Sequence, residues 1–509
     1  YGRLISWDEF RNLILRTAGG LQKLGIKKGD RVYIGLQNSP QFVITYYAAH
    51  SLGAVTMSMS PAYKAGEVSY VVNDAGAKVM IIEESVVPVY NEIKDIIPSV
   101  EHVVVTALDE YIPEEPFPAF PADLRARGVD CPGAIAWKDF IASDPIMEMA
   151  DVDINDLALL QYTSGTTGRP KGAMLTHKNL VNGAWVNSVN YTMTVDDRTI
   201  AILPMFHVTS MNDQLNNPMF TGGELIIMTR FDVEAFLQAA ERYKATYTVL
   251  ATPIVILMAH HPAFGKYDIS SMTKIGIGGA SLPPAVADKY MAMGISLTEG
   301  YGMSETTATT VMNPIGANVF GSIGLPSPQM DIRIADISDL SRDVAIGEEG
   351  ELWVKGESNG IGYWNNPEAT AETFLEGGWV RTGDIVKMDE KGYIYICGRL
   401  KEIIKVSAYS VFPAEVEQYM FAHPAIMDCC AIGIPHETKG EEVKAFIVLK
   451  PDYAGKISEE EIIEWAKGQM AHYKYPRTIE FRSSLPKGNT GKVERKVLVA
   501  EEKDKRENA

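Results

Sequence analysis

A run of glycine and hydroxyl residues around one lysine is the feature that most constrains the fold of this chain. It reads Tyr162-Thr163-Ser164-Gly165-Thr166-Thr167-Gly168-Arg169-Pro170-Lys171-Gly172 and directly follows an apolar segment at 157–160 that predicts a strand. Glycines let backbone N–H groups curl into an anion-binding concavity, the hydroxyls add donors, and the basic side chains add positive charge. The run therefore predicts a phosphate loop at the end of a strand in an α/β sheet.

A Walker P-loop is the obvious alternative for such a run. Counted from Gly165, that pattern requires glycine at position 170, lysine at 171 and serine or threonine at 172. The chain has Pro170 and Gly172 at the outer two positions, so the magnesium-binding hydroxyl is missing and proline opposes a helix start. The sequence predicts a different class of phosphate loop.

The segments before and after this loop alternate between strand and helix patterns. A capping box at Ser6 and Glu9 predicts a first helix, and strands are predicted at 31–36, 54–59 and 78–82, with helices at 40–53 and 67–73. A second alternating stretch is predicted from about 159 to 310, with strands at 201–203, 224–228, 247–251 and 274–277. This alternation predicts right-handed crossovers and parallel sheets covered by helices.

The pattern changes in the last third of the chain. Short strands with glycine turns between about 323 and 397 predict a small antiparallel barrel or sheet. After Arg399 the pattern is α+β, with a capped helix from Ser458 and a charged last ten residues that we expect to fray. We place the domain boundary at Gly398–Lys401.

The overall charge and the cysteine content limit the classes of partner. The 509 residues carry a net charge of −18, which argues against a nucleic-acid-binding protein. Four cysteines in a chain of this length do not form a disulfide framework, and no apolar run is long enough for a transmembrane segment. We therefore expect a cytoplasmic protein. Because the first residue is Tyr1 rather than methionine, we also expect the natural chain to begin earlier.

Further short segments combine glycine with residues suited to a nucleotide. They are Pro204-Met205-Phe206-His207, Gly278-Gly279-Ala280-Ser281-Leu282, Gly300-Tyr301-Gly302-Met303-Ser304-Glu305-Thr306, Trp379-Val380-Arg381-Thr382-Gly383-Asp384, Gly398-Arg399-Leu400-Lys401-Glu402 and Pro486-Lys487-Gly488-Asn489-Thr490-Gly491-Lys492. A tyrosine ring offers a flat face for a base, a glutamate is a hard ligand for Mg²⁺, and one carboxylate can accept from two ribose hydroxyls.

Together with the phosphate loop, these segments resemble the acyl-adenylate-forming superfamily over nearly the whole chain. That superfamily includes acyl-CoA synthetases, the adenylation domains of peptide synthetases and firefly-type luciferases, and the resemblance is closest to medium- and long-chain fatty acid–CoA ligases. It implies an α/β fold with a large N-terminal domain, 1–398, of two βα-layered subdomains plus a small β-barrel-like subdomain. A small, mobile α+β C-terminal domain, 399–509, is expected to follow.

The resemblance implies an AMP-forming acid–CoA ligase that uses ATP, Mg²⁺ and coenzyme A. Glu305 is the implied metal ligand, and Lys401 is the implied hinge. The implied ATP- and AMP-binding residues are Thr163, Ser164, Gly165, Thr166, Thr167, Gly168, Lys171, Gly279, Ala280, Glu299, Gly300, Tyr301, Gly302, Ser304, Asp384 and Arg399.

The implied catalytic residues are Lys492 and His207. The Lys492 ammonium would bridge the attacking carboxylate and the α-phosphate in the first half-reaction, and His207 would orient the acid. Rotation of the C-terminal domain would then remove Lys492 and admit the thiol of coenzyme A for the second half-reaction.

The acyl pocket is predicted from the residues that follow His207. Thr209 stands where amino-acid-activating domains place an aspartate, and a buried ammonium without a carboxylate is costly, so an α-amino acid is disfavoured. The implied pocket comprises His207, Val208, Thr209, Met211, Gly278, Gly302 and Met303, with Met219, Val311 and Met312 as further apolar candidates. These residues favour a medium- or long-chain fatty acid, and an aryl acid fits as well.

The implied CoA tunnel contains one departure from the family pattern. The tunnel residues are Ser407, Ala408 and Tyr409, and alanine replaces the usual glycine at position 408. An added methyl group narrows the tunnel or strains a glycine-type turn, so it would slow the second half-reaction and not the first.

Several alternatives stay open on the sequence alone. They are a ligase that loads a carrier protein, an aryl acid–CoA ligase, a luciferase-like oxygenase and a catalytically silent binding protein. The sequence is also compatible with a homodimer and with peripheral membrane contact, and it leaves the identity and length of the acid open.

Overall fold

The computed structural model describes residues 1–163, 170–278, 282–407, 409–436, 438–488 and 493–507. The chain divides into two compact units, one formed by Tyr1–Asp331 and Val354–Val380 and the other by Ile332–Trp353 and Arg381–Ala509. These units are defined by how compactly each part folds, whereas the predicted boundary at Gly398–Lys401 is a point of rotation. The boundary therefore stays a prediction.

The first sheet contains the strands on both sides of the phosphate loop. The strands are β1 (Arg31–Gly35), β2 (Val55–Ser58), β3 (Ala77–Glu83), β4 (His102–Thr106), β5 (Ile135–Ala136), β6 (Leu157–Thr163) and β7 (Lys171–Thr176). Their order is β5-β4-β3-β1-β2-β6-β7, and the pairs from β5 to β6 are parallel whereas β6 and β7 are antiparallel. The sequence prediction that β6 opens a second α/β stretch is therefore wrong, because β6 pairs with β2, about a hundred residues earlier.

The helices that cover this sheet confirm the predicted alternation. They are α1 (Trp7–Lys23), α2 (Pro40–Ser51), α3 (Ala65–Ala75), α4 (Val87–Ile93), α5 (Trp137–Phe140) and α6 (His177–Asn190). The Ser6 side chain accepts from the backbone N–H of Glu9 at the start of α1, as the capping pattern predicts. Apolar side chains of α1 and α2 pack against the sheet, with Leu21 and Phe42 fully buried.

The second sheet continues the first unit and positions the glycine-rich nucleotide segments. Its strands are β8 (Arg198–Ala201), β9 (Glu224–Ile227), β10 (Tyr247–Ala251), β11 (Lys274–Gly278), β12 (Ser296–Met303), β13 (Ala308–Met312) and β14 (Leu325–Pro326), in the order β14-β13-β12-β11-β10-β8-β9. The neighbouring helices are α7 (Asn217–Thr221), α8 (Val233–Tyr243), α9 (Thr252–His260), α10 (Pro284–Met291) and α11 (Pro367–Thr373). Strand β10 lies parallel to both β8 and β11, as alternation requires.

The second unit is built mainly from antiparallel strands. One sheet has the order β15 (Asp331–Ala335), β16 (Gly350–Lys355), β17 (Trp379–Met388) and β18 (Ile394–Arg399). The other contains β19 (Ile404–Val406), β20 (Tyr409–Val411), β21 (Ile426–His436), β22 (Gly440–Leu449) and β23 (Thr478–Phe481), in the order β20-β19-β22-β21 with β23 beside β22. Its helices are α12 (Pro413–Phe421), α13 (Glu459–Gln469) and α14 (Arg495–Glu507). The predicted α+β pattern is confirmed.

The end of the chain differs from the prediction that its last ten residues fray. Residues 500–507 continue α14. Glu502 accepts from the buried Lys444 at 2.6 Å and Glu501 accepts from Arg482 at 2.6 Å, while Leu498 is fully buried. These contacts hold the charged helix against the sheet, which a reading of charge alone does not predict.

The helices of the described ranges are too short or too polar to cross a bilayer. None of them combines the length and the hydropathy that a transmembrane span needs.

Candidate active site

The predicted phosphate loop connects two antiparallel strands at the edge of the first sheet. Thr163 pairs with Lys171 across β6 and β7, and the Tyr70 hydroxyl donates to the carbonyl of Pro170 at 3.2 Å. The predicted phosphate-binding residues Ser164, Gly165, Thr166, Thr167 and Gly168, with Arg169, lie outside the described residues. The hairpin fixes where the loop begins and ends.

A cluster of Lys171, Tyr363 and Glu305 lies at the end of this hairpin. The Lys171 ammonium is 4.7 Å from the centre of the Tyr363 ring, and the Tyr363 hydroxyl donates to Glu305 Oε1 at 2.6 Å. Burial and the adjacent carboxylate both raise the pKa of Tyr363, so its hydroxyl keeps its proton and remains a donor. The structure thus brings together two residues that the sequence assigned to separate motifs. Tyr363 itself was not predicted, since it belongs to no motif.

The turn that carries Glu305 is held in a strained backbone conformation. Residues Ser304–Thr306 form a single 3₁₀ turn, and Thr307 follows it with φ of 54°. Threonine rarely adopts this left-handed region, so the conformation must be imposed by neighbours. The Thr307 hydroxyl donates to the carbonyl of Ser358 at 2.7 Å, and its carbonyl accepts from the Asn212 amide at 3.2 Å. These contacts fix the direction of the Glu305 side chain.

The surroundings of Glu305 suit a magnesium ion that also binds a substrate. Glu305 is 7% exposed, and no group of three or more histidine, cysteine, aspartate or glutamate residues among the described residues could hold a metal by itself. Magnesium is commonly bound by one or two carboxylates together with substrate phosphates and water. A single carboxylate beside Lys171 fits that pattern and does not fit a structural metal site.

The two glycine motifs predicted to contact adenine lie on neighbouring strands. Gly278 ends β11, and a methyl group added at Gly278 would lie at ordinary van der Waals distance from the carbonyl of Gly300 on β12. Strand β12 pairs with β13 through Tyr301 and Val311. Gly279 and Ala280, with Ser281, lie outside the described residues. Side chains are absent at both glycines, and the predicted close approach of this backbone to an adenine ring stays a prediction.

Glu299 lies on β12 directly before Gly300 and is buried. Its Oε2 accepts from the backbone N–H of Gly321 at 3.0 Å and its Oε1 from that of Leu282 at 3.4 Å. Burial raises the pKa of Glu299 although these donors lower it. Each carboxylate oxygen has two lone pairs, so a further donor such as an adenine amino group can still be accepted.

The residues predicted for the acyl pocket divide into buried and open positions. Val208 and Met211 are buried in the core of the first unit. His207 is exposed, and its Nδ1 accepts from the backbone N–H of Thr209 at 3.3 Å, which fixes the ring. Gly302 is exposed and Met303 is half-buried. The structure therefore places His207 at the surface end of a segment whose apolar side chains point inward.

A π-helix follows this segment directly. It spans Ser210–Asn216, a class of helix that is rare and frequent at functional sites. Asp213 lies within it, fully enclosed, and accepts from the Asn187 amide. Burial raises the pKa of Asp213 to about 8. Asp213 belongs to none of the predicted motifs, although a run of polar residues directly after an apolar motif is a signal for it in the sequence.

The predicted ribose and hinge motifs meet in the second unit. Asp384 on β17 pairs with Arg399 on β18, and Arg399 Nε lies 3.1 Å from Asp384 Oδ1. The Thr382 hydroxyl accepts from the backbone N–H of Asp384 at 3.0 Å and donates to the carbonyl of Leu352 at 2.7 Å. Two residues predicted to bind one nucleotide are thus in direct contact.

The predicted hinge and tunnel residues lie at the surface of this unit. Lys401 and Ser407 are exposed, and Ser407 has φ of 56°. The exposed Tyr409 stacks on Tyr473 with 4.2 Å between ring centres. Ala408 lies outside the described residues, so the effect of its methyl group stays a prediction.

The predicted catalytic lysine, Lys492, also lies outside the described residues, together with 489–491, but the segments that flank 489–492 are described. Lys487 forms an antiparallel bridge with Val493, and the backbone N–H of Glu494 donates to the carbonyl of Pro486 at 2.8 Å. The loop therefore begins and ends at one place, like the phosphate loop of the first unit.

Comparisons with known proteins identify the family of this chain. Residues 1–364 match the AMP-binding enzyme family and residues 415–492 match the AMP-binding enzyme C-terminal domain. The chain is 35% identical to a long-chain-fatty-acid–CoA ligase of Bacillus subtilis over 99% of this chain and 91% of that protein. It is 32% identical to a feruloyl-CoA synthase of Amycolatopsis over 97% of this chain and 93% of that protein.

A solved structure shows the same likeness. The crystal structure of the anthranilate CoA ligase AuaEII in complex with anthranoyl-AMP matches 97% of this chain and 91% of its own, with a TM-score of 0.84 and 27% identity. The family match covers well over half of the chain. This chain therefore belongs to the AMP-binding enzymes of the acyl-adenylate-forming superfamily, and within them to the AMP-forming acid–CoA ligases.

Proposed function

We propose that this protein converts an apolar carboxylic acid, preferably a medium- or long-chain fatty acid, into its CoA thioester in two steps. First, a carboxylate oxygen attacks the α-phosphorus of ATP, the bond from that phosphorus to the bridging oxygen breaks, and acyl-AMP and pyrophosphate form. Second, the thiol of CoA loses its proton and attacks the carbonyl carbon, and AMP leaves. The observation that carries the proposal is the Lys171–Tyr363–Glu305 cluster at the end of the β6–β7 hairpin.

This cluster suits the negative charge of a triphosphate. The Lys171 ammonium would pair with phosphate oxygens, and Glu305 would hold Mg²⁺ together with those oxygens and water. When bound, Mg²⁺ neutralises charge on the phosphates. The Tyr363 hydroxyl keeps the buried carboxylate oriented, since it already donates to one of its oxygens.

The first step also needs a positive charge between the acid and the α-phosphate. We assign that role to Lys492, delivered by the domain 399–509 as it rotates about Lys401. His207, exposed and fixed through Thr209, is assigned to orient the carboxylate. No protein nucleophile is required, because the acid itself attacks phosphorus.

The preference for an apolar acid rests on the segment around Thr209. Val208 and Met211 are buried apolar side chains, and Thr209 is neutral. Asp213 is the acidic residue of the following helix, but burial raises its pKa to about 8, so it is uncharged at neutral pH. An ammonium group of an amino acid would therefore find no carboxylate there.

The direct test is ATP–pyrophosphate exchange with a panel of carboxylic acids of graded chain length and ring content. We expect exchange with medium- and long-chain fatty acids and none with α-amino acids. Because one relative is a feruloyl-CoA synthase, cinnamic-type acids belong in the panel, and exchange with these alone would favour an aryl acid–CoA ligase. Absence of exchange with every acid would remove the proposal.

A second test separates the two half-reactions. AMP and thioester are measured with free CoA, and adenylate without thioester would favour transfer to a carrier protein. Lys492→Ala should abolish adenylation and leave thioester formation from supplied acyl-AMP comparatively intact. Lys496→Ala is the matched control, since Lys496 is an exposed lysine of α14. Equal loss of both steps in Lys492→Ala would contradict the alternation of domains.

The remaining parts of the proposal concern the cell. We infer a cytoplasmic enzyme whose partners are ATP, CoA and the acid. A homodimer and peripheral membrane contact are compatible with this function. Both are tested by the mass of the purified protein in solution and by sedimentation with lipid vesicles.

A further inference from the structure

The loop of the predicted catalytic lysine is anchored at its base to strand β21, at the end of the sheet order β20-β19-β22-β21. The Lys487 ammonium lies 2.8 Å from Asp428 Oδ2 on β21, and the bridge between Lys487 and Val493 closes the loop. The backbone bond from Glu494 to Pro486 lies beside that bridge. The first turn of α14 then follows immediately, beginning with Arg495.

Arg495 connects three elements through one guanidinium group. Its Nε donates to the carbonyl of Ala431 on β21 at 3.0 Å, its Nη2 donates to Glu417 Oε1 on α12 at 2.7 Å, and its Nη1 donates to Glu402 Oε2. The side chain of Arg495 is 19% exposed. Guanidinium has its donors in a rigid planar fork, so three simultaneous acceptors fix both its position and its orientation.

The third acceptor, Glu402, belongs to the predicted hinge turn. Glu402 is the residue directly after Lys401, in the 3₁₀ turn Leu400–Glu402, and Arg495 comes three residues after Lys492. The two partners are 93 residues apart in the chain. One ion pair therefore joins the turn at the predicted hinge to the end of the lysine loop.

We propose that Arg495, through Glu402, is a positioning residue that holds the base of the Lys492 loop, at Lys487 and Val493, against the hinge turn, so that base and turn move together. This inference rests on the proposed function, in which rotation about Lys401 delivers Lys492. Without the link, the base of the loop could shift relative to the turn as the domain rotates. Displacement of a reacting group by about 1 Å can lower a rate by roughly 100-fold, so the link should matter for the adenylation step.

A purely structural role would be carried by the other two acceptors. Glu417 Oε1 also accepts from the backbone N–H of Ala431 at 2.7 Å, so the pair of Arg495 with Glu417 and Ala431 fastens α14 and α12 to β21. Glu402 contacts neither Glu417 nor Ala431 in these bonds, and it adds the third acceptor from the hinge turn. Substitution of Glu402 therefore tests the hinge link, whereas substitution of Arg495 or Glu417 would also disturb folding.

The test is Glu402→Ala in the full-length protein, measured in both half-reactions. We expect kcat for ATP–pyrophosphate exchange to fall between about 10- and 100-fold with KM for ATP and acid nearly unchanged. Thioester formation from supplied acyl-AMP should stay within about 3-fold of the unsubstituted protein, because Lys492 is not needed there. Glu402→Gln keeps an oxygen that can accept from Arg495 and should recover part of the loss.

Controls separate the possible failures. Glu464→Ala removes an exposed acidic residue of α13 that pairs locally with Lys467, and it should leave both half-reactions unchanged. Unchanged exchange in Glu402→Ala, or an equal fall in both half-reactions, would overturn the role of Arg495 while the proposed function stands. Absence of exchange in the unsubstituted protein would remove the proposed function itself, and this role with it.

Discussion

The buried carboxyl group of Asp213 should make the protein less stable as the pH rises, and Asp213→Asn should remove that dependence. Among the described residues Asp213 has no cationic partner, and the groups that face it are the Asn187 amide and the hydroxyls of Tyr191 and Tyr247. Burial raises its pKa from 3.8 to about 8. The asparagine side chain has the same shape and keeps an oxygen that can accept from Asn187.

The sign and size of the effect follow from proton linkage. Between about pH 4 and pH 8 the unfolded chain has released the proton that the folded chain keeps, so the free energy of unfolding falls by about 1.4 kcal/mol per pH unit. Above the folded pKa both states are ionised and the loss becomes constant. The stability of Asp213→Asn relative to the unsubstituted protein should therefore increase by roughly 4 kcal/mol between pH 5 and pH 9.

The assay is equilibrium urea unfolding of both proteins at a series of pH values, followed by circular dichroism. Only the difference between the two proteins is used, because every other titrating group is common to both. Asp288→Asn, which removes an exposed carboxyl group on α10, should give a curve parallel to that of the unsubstituted protein. A constant difference between Asp213→Asn and the unsubstituted protein would show that Asp213 ionises normally in the folded state, and the reasoning would be refuted.

Two further predictions concern the free energy of unfolding. One replaces Tyr363, which belongs to no motif, and the other compares a tightly packed glycine with an open one. Tyr363→Phe removes a hydrogen bond to a buried carboxylate, so the free energy of unfolding should fall by about 1.5–3 kcal/mol, seen as a lower midpoint in urea with an unchanged slope. Gly276→Ala should lower it by about 1–3 kcal/mol, because the new methyl group would overlap the Tyr191 hydroxyl. Gly468→Ala, in α13 with open space around it, should instead raise it by about 0.5–1 kcal/mol; if both alanines had the same sign, close packing would not be the cause.

Local signals in the sequence predicted the elements well. Ser6 caps α1 and Ser458 caps α13, each by accepting from a backbone N–H three residues later, and both contacts lie within one turn of helix. Such contacts depend only on neighbouring residues, which a sequence records directly. The strands β10 and β11 were located to within a residue for the same reason.

Pairing between distant segments was harder to predict. Strand β6 looked like the start of a second α/β stretch, yet it pairs with β2 at Thr56 and Leu159. Sequence order alone cannot decide this, because an apolar strand can join either sheet with equal burial. The buried polar helix after His207 was missed for a related reason: Gln214 looks exposed in sequence, but it donates to the carbonyls of Ile200 and Val249 inside the fold.

The motif residues can be recognised from the sequence, whereas the distant residues that orient them cannot. Lys171 and Glu305 stand in glycine-rich turns, where a close approach to substrate demands particular residues over a few consecutive positions, and such a demand can be read from the chain. The tyrosine that orients Glu305 is 58 residues away, and the arginine that holds the turn after Lys401 is 93 residues from its acceptor. A tyrosine or an arginine from any other part of the chain could make the same contacts. Tyr363 and Arg495 therefore need no local sequence pattern. Only the geometry of the folded chain identifies them. Arg495 reaches two acidic acceptors, Glu402 and Glu417, and replacing it by lysine would lose the planar fork that reaches both.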